Sequence, residues 1–313
     1  MDFRKDPRVA IDPPDIAPYQ SGVSGIPFVQ VLEGDDAGPT AMISAVVHGN
    51  ELCGAIILDE LLRCRFRPAR GRLFLAFMNV AAYEGFSCRT PEGSRLADED
   101  FNRVWTEDRL DGPGDSIELR RARAIRPLLH EVDYLLDLHS TSSYSAPMSL
   151  TGLSERSLDL AQALGAPAAI VRDAGHVEGR RMRDYTPFAG AGPGPTSLLV
   201  ECGQHWQRAT VDCARDITRR FLRHLGMLKG AVPPAPRQMV LQVTDVVTVV
   251  THNFTFAADF QGLESIDRAG TRIAMDGDRP ILTPYDNCVL IMPTHGAAPG
   301  QTAVRLAREI PRS

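Results

Sequence analysis

The feature that most constrains this fold is a set of apolar runs, each ending at a residue that can bind a metal or carry a proton. The runs and the residues that end them are MISAVV before His48, YLLDL before His139 and SLLV before Glu201. Continuous apolar runs of this length are typical of strands buried on both faces of a parallel sheet. The carboxyl ends of parallel strands meet at one edge, so we expect these three residues to share one crevice.

Helices alternate with these strands along the chain. The segment from Leu52 to Leu62 is apolar nearly all round, as expected of a helix packed against a sheet. Arg72–Met78 is a second apolar run, so the order strand, helix, strand predicts a right-handed βαβ unit. Asp115–Glu118 has the capping residues of a further helix. The sequence therefore predicts an α/β fold with a largely parallel sheet flanked by helices.

A change of composition divides the chain near residue 232. The Pro-rich stretch 229–236 reads as a linker, and the residues after it form short β-like runs separated by turn signals such as Asp276-Gly277. We predict an α/β catalytic domain over residues 1–232 and a small C-terminal β domain over residues 233–313 that covers the active site. Residues 1–25, rich in Pro, Asp, Gly and Ser, are expected to form a surface arm.

Charge and composition exclude several classes of function. The chain has 313 residues and a net charge of −5, without the Lys/Arg block that marks a nucleic-acid or membrane surface. No apolar run approaches the roughly 20 residues of a membrane helix, and the N-terminus lacks the apolar core of a signal peptide. The six cysteines form no CxxC pair. We expect a cytoplasmic protein that binds a small molecule, with neither nucleic acid nor membrane as partner.

The first site prediction concerns a metal. His48 and Glu51 are three residues apart, so within one helical turn both side chains can reach a common point. Together with His139 they provide two imidazoles and one carboxylate, a donor set of catalytic zinc sites that leaves one position for water. Asp137 lies two residues before His139 on the same strand face, where it could orient a ligand's second nitrogen. We predict one Zn²⁺ per chain, bound by His48, Glu51 and His139.

The second site prediction concerns catalysis and substrate binding. Glu201 follows an apolar strand, and partial desolvation would raise its pKa and suit it to act as a general base. The loop at 93–105 contains Arg95 and the pair Asn102-Arg103. Arginine suits bidentate carboxylate binding or the stabilisation of an oxyanion beside a metal. Read alone, each of these groups could instead be a structural or solvated charge.

Four further histidines are interpreted as ordinary surface or loop residues. These are His176, His205, His252 and His295. Among them His205 is the closest in sequence to the predicted base.

Taken together, the motifs resemble the succinylglutamate desuccinylase/aspartoacylase family, a branch of the zinc-carboxypeptidase-like hydrolases. The motifs that carry the resemblance are HGNE at 48–51, DFNR at 100–103, DLH at 137–139 and VE at 200–201 before a glycine. They occur in order and extend the resemblance over about residues 40–310. The sequence departs from the family at Asn79-Val80, where the family has Asn-Pro. The arginine and tyrosine that some aspartoacylases have upstream of the base, and the C-terminal tyrosine of those enzymes, have no clear match.

The resemblance implies a fold, a cofactor and an activity. The implied fold is a mixed sheet flanked by helices, with a C-terminal β domain covering the site. The implied roles are zinc binding by His48, Glu51 and His139, proton transfer by Glu201, carbonyl polarisation by Arg95, and carboxylate binding by Asn102 and Arg103. The expected reaction is zinc-dependent hydrolysis of the amide of an N-acyl amino acid such as N-acetylaspartate or N-succinylglutamate.

Two other functions stay open at this point. One is a metallocarboxypeptidase acting on short peptides, and the other is a non-catalytic protein that holds a carboxylated ligand in the same cleft. The sequence selects neither the acyl group nor the amino acid, and it leaves a homo-oligomer open.

Overall fold

The structure, a computed structural model, describes residues 8–22, 25–176, 178–190, 192–234 and 237–311. Parts of two predicted segments lie outside the described residues: residues 1–7 and 23–24 of the N-terminal arm and two residues of the 229–236 linker.

One large mixed sheet organises the described part of the chain, and a small antiparallel sheet lies beside its C-terminal strands. The strands are β1 (Val29–Glu33), β2 (Asp36–Ala45), β3 (Arg70–Phe77), β4 (Tyr134–Thr141), β5 (Met148–Leu150), β6 (Ala169–Arg172), β7 (Thr196–Gln204), β8 (Met239–Thr248), β9 (Phe254–Phe256), β10 (Ser265–Ile266), β11 (Arg272–Asp276), β12 (Arg279–Leu282), β13 (Cys288–Ile291) and β14 (Thr302–Glu309). The large sheet has the order β1-β3-β2-β4-β7-β5-β6-β8-β14-β13-β10, and the small sheet has the order β12-β11-β9.

The centre of the large sheet is parallel. Strand β3 pairs with β2, β2 with β4 and β4 with β7, all in parallel, whereas β1 and β5 join this block in antiparallel fashion. The carboxyl ends of β2, β4 and β7 therefore lie at one edge. This arrangement confirms the predicted fold class, because the three apolar runs form neighbouring strands.

Helices cover both faces of the sheet. The helices are α1 (Leu52–Arg63), α2 (Val80–Glu84), α3 (Glu107–Asp111), α4 (Ile117–Leu129), α5 (Glu155–Leu164), α6 (Thr186–Ala189) and α7 (Arg208–His224). Apolar residues of α1, α5 and α7 share one buried cluster with the sheet. Residues of α4 and the aromatic side chains of Phe101, Trp105 and Phe188 form a cluster on the other face. Within the described residues, no helix is long and apolar enough to span a membrane.

The C-terminal strands extend the large sheet. Strand β8 pairs in parallel with β6, and β14, β13 and β10 follow it outward in antiparallel pairs. Apolar side chains of both parts of the chain share a cluster that includes Met148, Leu199, Leu241, Val289 and Ile291. The predicted boundary at residue 232 stays a prediction.

The segment 80–114 contains several short helical turns separated by irregular stretches. Its organiser is Glu118, in the first turn of α4, whose side chain is 0% exposed. The Glu118 carboxylate accepts hydrogen bonds from the backbone N–H of Ala97 (2.7 Å), Asp98 (3.1 Å) and Glu99 (3.2 Å). It also accepts one from Asn79 Nδ2 at 2.9 Å. These hydrogen bonds hold in place the loop that contains Arg95.

Candidate active site

A tight turn connects β2 to α1 and presents His48 and Glu51. Val46 has a φ of 51°, a left-handed conformation that is rare for a β-branched residue, so the chain bends sharply as it leaves the strand. Gly49 then packs against backbone, since a Cβ at this position would lie 2.3 Å from the carbonyl carbon of Ala82. Only glycine permits that approach. The turn therefore depends on its local sequence as much as on the sheet.

His48, Glu51 and His139 converge as predicted. His48 Nδ1 lies 2.7 Å from Glu51 Oε1, and His139 Nδ1 lies 2.9 Å from Glu51 Oε2. One donor atom from each of the three residues lies within 4.8 Å of the other two, and all three side chains are buried. Burial opposes ionisation of Glu51, but the two imidazoles outweigh it and hold the pKa of Glu51 well below its ordinary value. Two imidazoles and a charged carboxylate at this separation fit a divalent cation such as zinc.

A carboxylate contacts the second ring nitrogen of each imidazole. Asp137 Oδ2 lies 3.0 Å from His139 Nε2, and Asp137 itself accepts a 2.7 Å hydrogen bond from the Ser44 hydroxyl. On the other imidazole, Asp100 Oδ1 lies 3.0 Å from His48 Nε2. Such contacts fix the ring orientation and leave Nδ1 free to bind a metal. Sequence reasoning identified Asp137 but missed Asp100, although the DFNR motif begins at that residue.

Glu201 lies beside His139 on the neighbouring strand. The two residues pair in the register of β4 and β7, and both strands continue past them rather than ending there as the sequence suggested. Glu201 is 6% exposed, and its Oε2 has no hydrogen-bond partner among the described residues. Burial raises the pKa of Glu201 to about 7, against the opposing effect of His139. The carboxylate therefore has both an unused oxygen and a proton affinity suited to proton transfer.

Arg95 belongs to the loop that the Glu118 hydrogen bonds hold in place. Its side chain extends over the metal cluster, which comprises the candidate metal-binding residues His48, Glu51 and His139. Its Nη2 lies 3.0 Å from His48 Nε2 and 3.2 Å from Asp100 Oδ2, and its Nη1 lies 3.7 Å from Glu51 Oε1. The side chain is 42% exposed, so solvent or a ligand can reach its guanidinium.

Asn102 and Arg103 follow Asp100 in a single helical turn. The Asn102 Oδ1 accepts a 2.8 Å hydrogen bond from the backbone N–H of Met182, which leaves the amide Nδ2 on the side of His139, at 3.5 Å from its Nε2. The Arg103 guanidinium contacts His176 at 3.2 Å and Glu178 at 3.4 Å. Both predicted substrate-binding residues therefore line the same space as the metal cluster.

These groups surround one cavity of about 540 Å³. Every predicted site residue except Asp137, which lies behind His139, is part of its lining. The lining also includes groups that sequence reasoning missed: His176, His205, Tyr144 and Arg305. His205 lies in the turn after β7, but it is 1% exposed and its Nδ1 lies 2.7 Å from the Ser140 hydroxyl, so it is a buried loop residue of the cavity wall and not a surface residue. Its position four residues after Glu201, at the end of the same strand, was the available signal.

A buried His-Glu-His cluster that could hold a metal ion therefore lies at the carboxyl edge of a helix-flanked mixed sheet, beside a buried glutamate whose Oε2 has no hydrogen-bond partner among the described residues. The model of the succinylglutamate desuccinylase/aspartoacylase catalytic domain matches residues 37–225, and the chain belongs to that family. Members of this family are hydrolases that remove acyl groups.

Solved structures show the same fold at low sequence identity. Succinylglutamate desuccinylase from Vibrio cholerae is 17% identical with a TM-score of 0.70, and the match covers 91% of this chain and 86% of that one. A succinylglutamate desuccinylase/aspartoacylase from Rhodobacter sphaeroides is 21% identical, with a TM-score of 0.68 and coverage of 91% and 89%. A product-bound ectoine utilization protein, EutE (DoeB), from Ruegeria pomeroyi is 19% identical, with a TM-score of 0.67 and coverage of 89% and 88%.

Proposed function

We propose that this protein is a zinc-dependent deacylase that hydrolyses the amide bond of an N-acyl amino acid. The observation that carries the proposal is the convergence of His48, Glu51 and His139 next to Glu201, whose Oε2 is buried without a partner. Family membership supports the reaction class, and the cavity of about 540 Å³ is of a size for a small molecule. Zinc bound by the cluster would supply Lewis-acid polarisation and acidify a bound water.

Glu201 is the proposed general base. It would take the proton of the attacking water and deliver it to the nitrogen of the leaving amine, so that the C–N bond breaks and a carboxylic acid and a free amino acid are released. A nearby cation lowers a carboxyl pKa, so the acid limb of the rate profile should lie at or below pH 7, the region of the raised pKa of Glu201. Activity is lost as the pH falls through that value because the base becomes protonated.

Arg95, Asn102 and Arg103 are the proposed substrate contacts. Arg95 is exposed to the cavity and lies over the metal cluster, so its guanidinium is placed to stabilise negative charge that develops on the carbonyl oxygen. Arg103, with the Asn102 amide beside it, is placed to bind a substrate carboxylate. Asp137 and Asp100 would hold the imidazoles in the required orientation.

The direct test is Glu201→Gln, which removes the base while keeping its shape. We expect kcat/KM for N-acetyl- and N-succinyl-amino acids to fall at least about 10³-fold while zinc content stays near one per chain. The matched control is Glu131→Gln, an exposed glutamate remote from the cavity, which should behave as wild type. Full turnover by Glu201→Gln would overturn the assignment of the base.

Parallel assays separate the competing functions. A screen over acetyl, succinyl and formyl derivatives of Asp, Glu and diamino acids is run beside short peptides. Preference for peptides would favour a carboxypeptidase. Binding of a carboxylated ligand without hydrolysis, in protein that contains no zinc, would favour a non-catalytic binding protein.

A further inference from the structure

Arg305 is a buried cation that β14 places in the cavity wall. It is 5% exposed and lines the same cavity as the metal cluster, although it lies more than 100 residues further along the chain than Glu201. Its neighbours in the sheet register are Ile291 on β13 and Val246 on β8. The C-terminal strands therefore supply a positive charge to a site whose sequence-predicted residues all precede residue 202.

Two guanidinium groups meet at one imidazole nitrogen. Arg305 Nη2 lies 2.8 Å from His176 Nδ1, and Arg103 Nη2 lies 3.2 Å from the same atom. Burial and the neighbouring arginines, Arg305 first, lower the pKa of His176 to about 2, so this imidazole is neutral. A neutral imidazole offers one acceptor lone pair, whereas a carboxylate offers four acceptor sites. Arg305 and Arg103 therefore lie against one imidazole that can accept a hydrogen bond from only one of them.

Asp173, which forms a long ion pair with Arg305, is shared with a second arginine. Asp173 accepts two hydrogen bonds from Arg181, at 2.7 and 3.0 Å, and lies 3.7 Å from Arg305 Nε without a hydrogen bond. The Nε of Arg305 has no hydrogen-bond partner among the described residues. Glu178 is 38% exposed and contacts Arg103 at 3.4 Å. A buried guanidinium with an N–H group that donates no hydrogen bond destabilises the folded protein unless an anion binds to it.

We propose that Arg305 and Arg103 together bind one carboxylate of the substrate, which makes Arg305 a specificity-determining residue contributed by the C-terminal strands. This proposal rests on the proposed function and adds a residue to its substrate clamp. The carboxylate can belong to the amino acid or to the acyl chain. A guanidinium can donate two parallel hydrogen bonds to any carboxylate, so the geometry is the same whether the carboxylate belongs to the amino acid or to the acyl chain.

The test compares carboxylate substrates with their amides. The pairs are N-acetyl-aspartate with N-acetyl-asparagine, N-acetyl-aspartate with its α-amide, and N-succinyl-alanine with its terminal succinamide. We expect wild type to prefer the carboxylate in at least one pair, which identifies its source. Arg305→Gln should reduce that preference by about 10- to 100-fold, chiefly through KM. Arg308→Gln is the matched control, since Arg308 is exposed on the same strand and stacks on Tyr285.

Double substitution tests whether both arginines hold the same group. We expect Arg103→Gln and Arg305→Gln to be non-additive in the carboxylate preference, because removing either one disrupts the same bidentate site. If Arg305→Gln does not fold, Arg305→Lys retains the charge without the fork and should reduce the preference several-fold. An unchanged preference in the folded, zinc-loaded Gln or Lys variant would overturn the proposal.

A binding measurement keeps this inference separate from the proposed function. If wild type hydrolyses none of the substrates, the deacylase proposal fails, and calorimetric titration with succinate and succinamate then decides the role of Arg305. Tighter binding of succinate that Arg305→Gln loses by about 10-fold or more would support carboxylate binding. Equal affinities in wild type and variant would refute it.

Discussion

At the scale of single residues, Asp100 makes the contacts that link the candidate metal ligands to the loop at 93–105. Asp100 contacts His48 Nε2 and also accepts hydrogen bonds from the backbone N–H of Asn102 (2.8 Å) and from Arg95 (3.2 Å). Burial opposes its ionisation, but His48 and the arginines hold the pKa of Asp100 well below its usual range. One charged carboxylate therefore contacts His48, Arg95 and the Asn102 backbone, which belong to the proposed metal ligand, oxyanion stabiliser and substrate clamp.

We predict that Asp100→Asn lowers zinc affinity by about 10- to 100-fold, because the amide keeps the shape but removes the charge that orients His48. Competition with a chromophoric chelator measures the affinity. Asp108→Asn, an exposed aspartate in the same segment, is the control and should match wild type. Unchanged zinc affinity in Asp100→Asn would show that the turn and Gly49 orient His48 without help.

The residues of the site could be predicted because each belongs to a short local pattern. His48 and Glu51 share one turn, and His139 and Glu201 follow apolar runs whose strand character is evident. Asp100 begins the DFNR motif, but neither its contact with His48 nor the position of Arg305 could be assigned from a local pattern. Their roles depend on which distant residues they contact, and only the packing of the loop at 93–105 and of β14 against the cavity sets those contacts.

At the scale of elements, the loop between α2 and α4 is held in place by a helix side chain. The sequence predicts the start of α4, and Ser116 caps it through a 3.0 Å hydrogen bond from the backbone N–H of Leu119. It does not reveal that the Glu118 carboxylate turns away from the helix to bind three backbone N–H groups. Capping is local, whereas this contact spans about 20 residues.

We predict that Glu118→Gln destabilises the protein by about 1–3 kcal/mol, because the new amide directs donor hydrogens at backbone donors and leaves buried groups unsatisfied. The loop that carries Arg95 should loosen, so kcat should fall more than zinc content. Thermal denaturation and steady-state kinetics measure the two effects. Glu131→Gln, just beyond the same helix, is the control, and a wild-type melting temperature in Glu118→Gln would contradict the argument.

At the scale of the whole molecule, the C-terminal strands complete both the sheet and the cavity. Composition predicts a separate β domain after residue 232, and in the structure β8 continues the large sheet by pairing with β6. Composition indicates where the short C-terminal strands begin, but it does not indicate which earlier strand they pair with. That pairing is a non-local contact between segments about 70 residues apart.

We therefore predict that a chain ending at residue 232 does not fold to a stable monomer. Its truncation would expose the edge of β6 and uncover the apolar cluster that Leu241, Val289 and Ile291 close, which favours aggregation. Size-exclusion chromatography and thermal denaturation measure the outcome. A chain ending at residue 310 keeps every strand and should melt as wild type does. Cooperative unfolding of a monomeric 1–232 fragment would instead establish it as an independent domain, with β8 as an addition to a sheet that is stable without it.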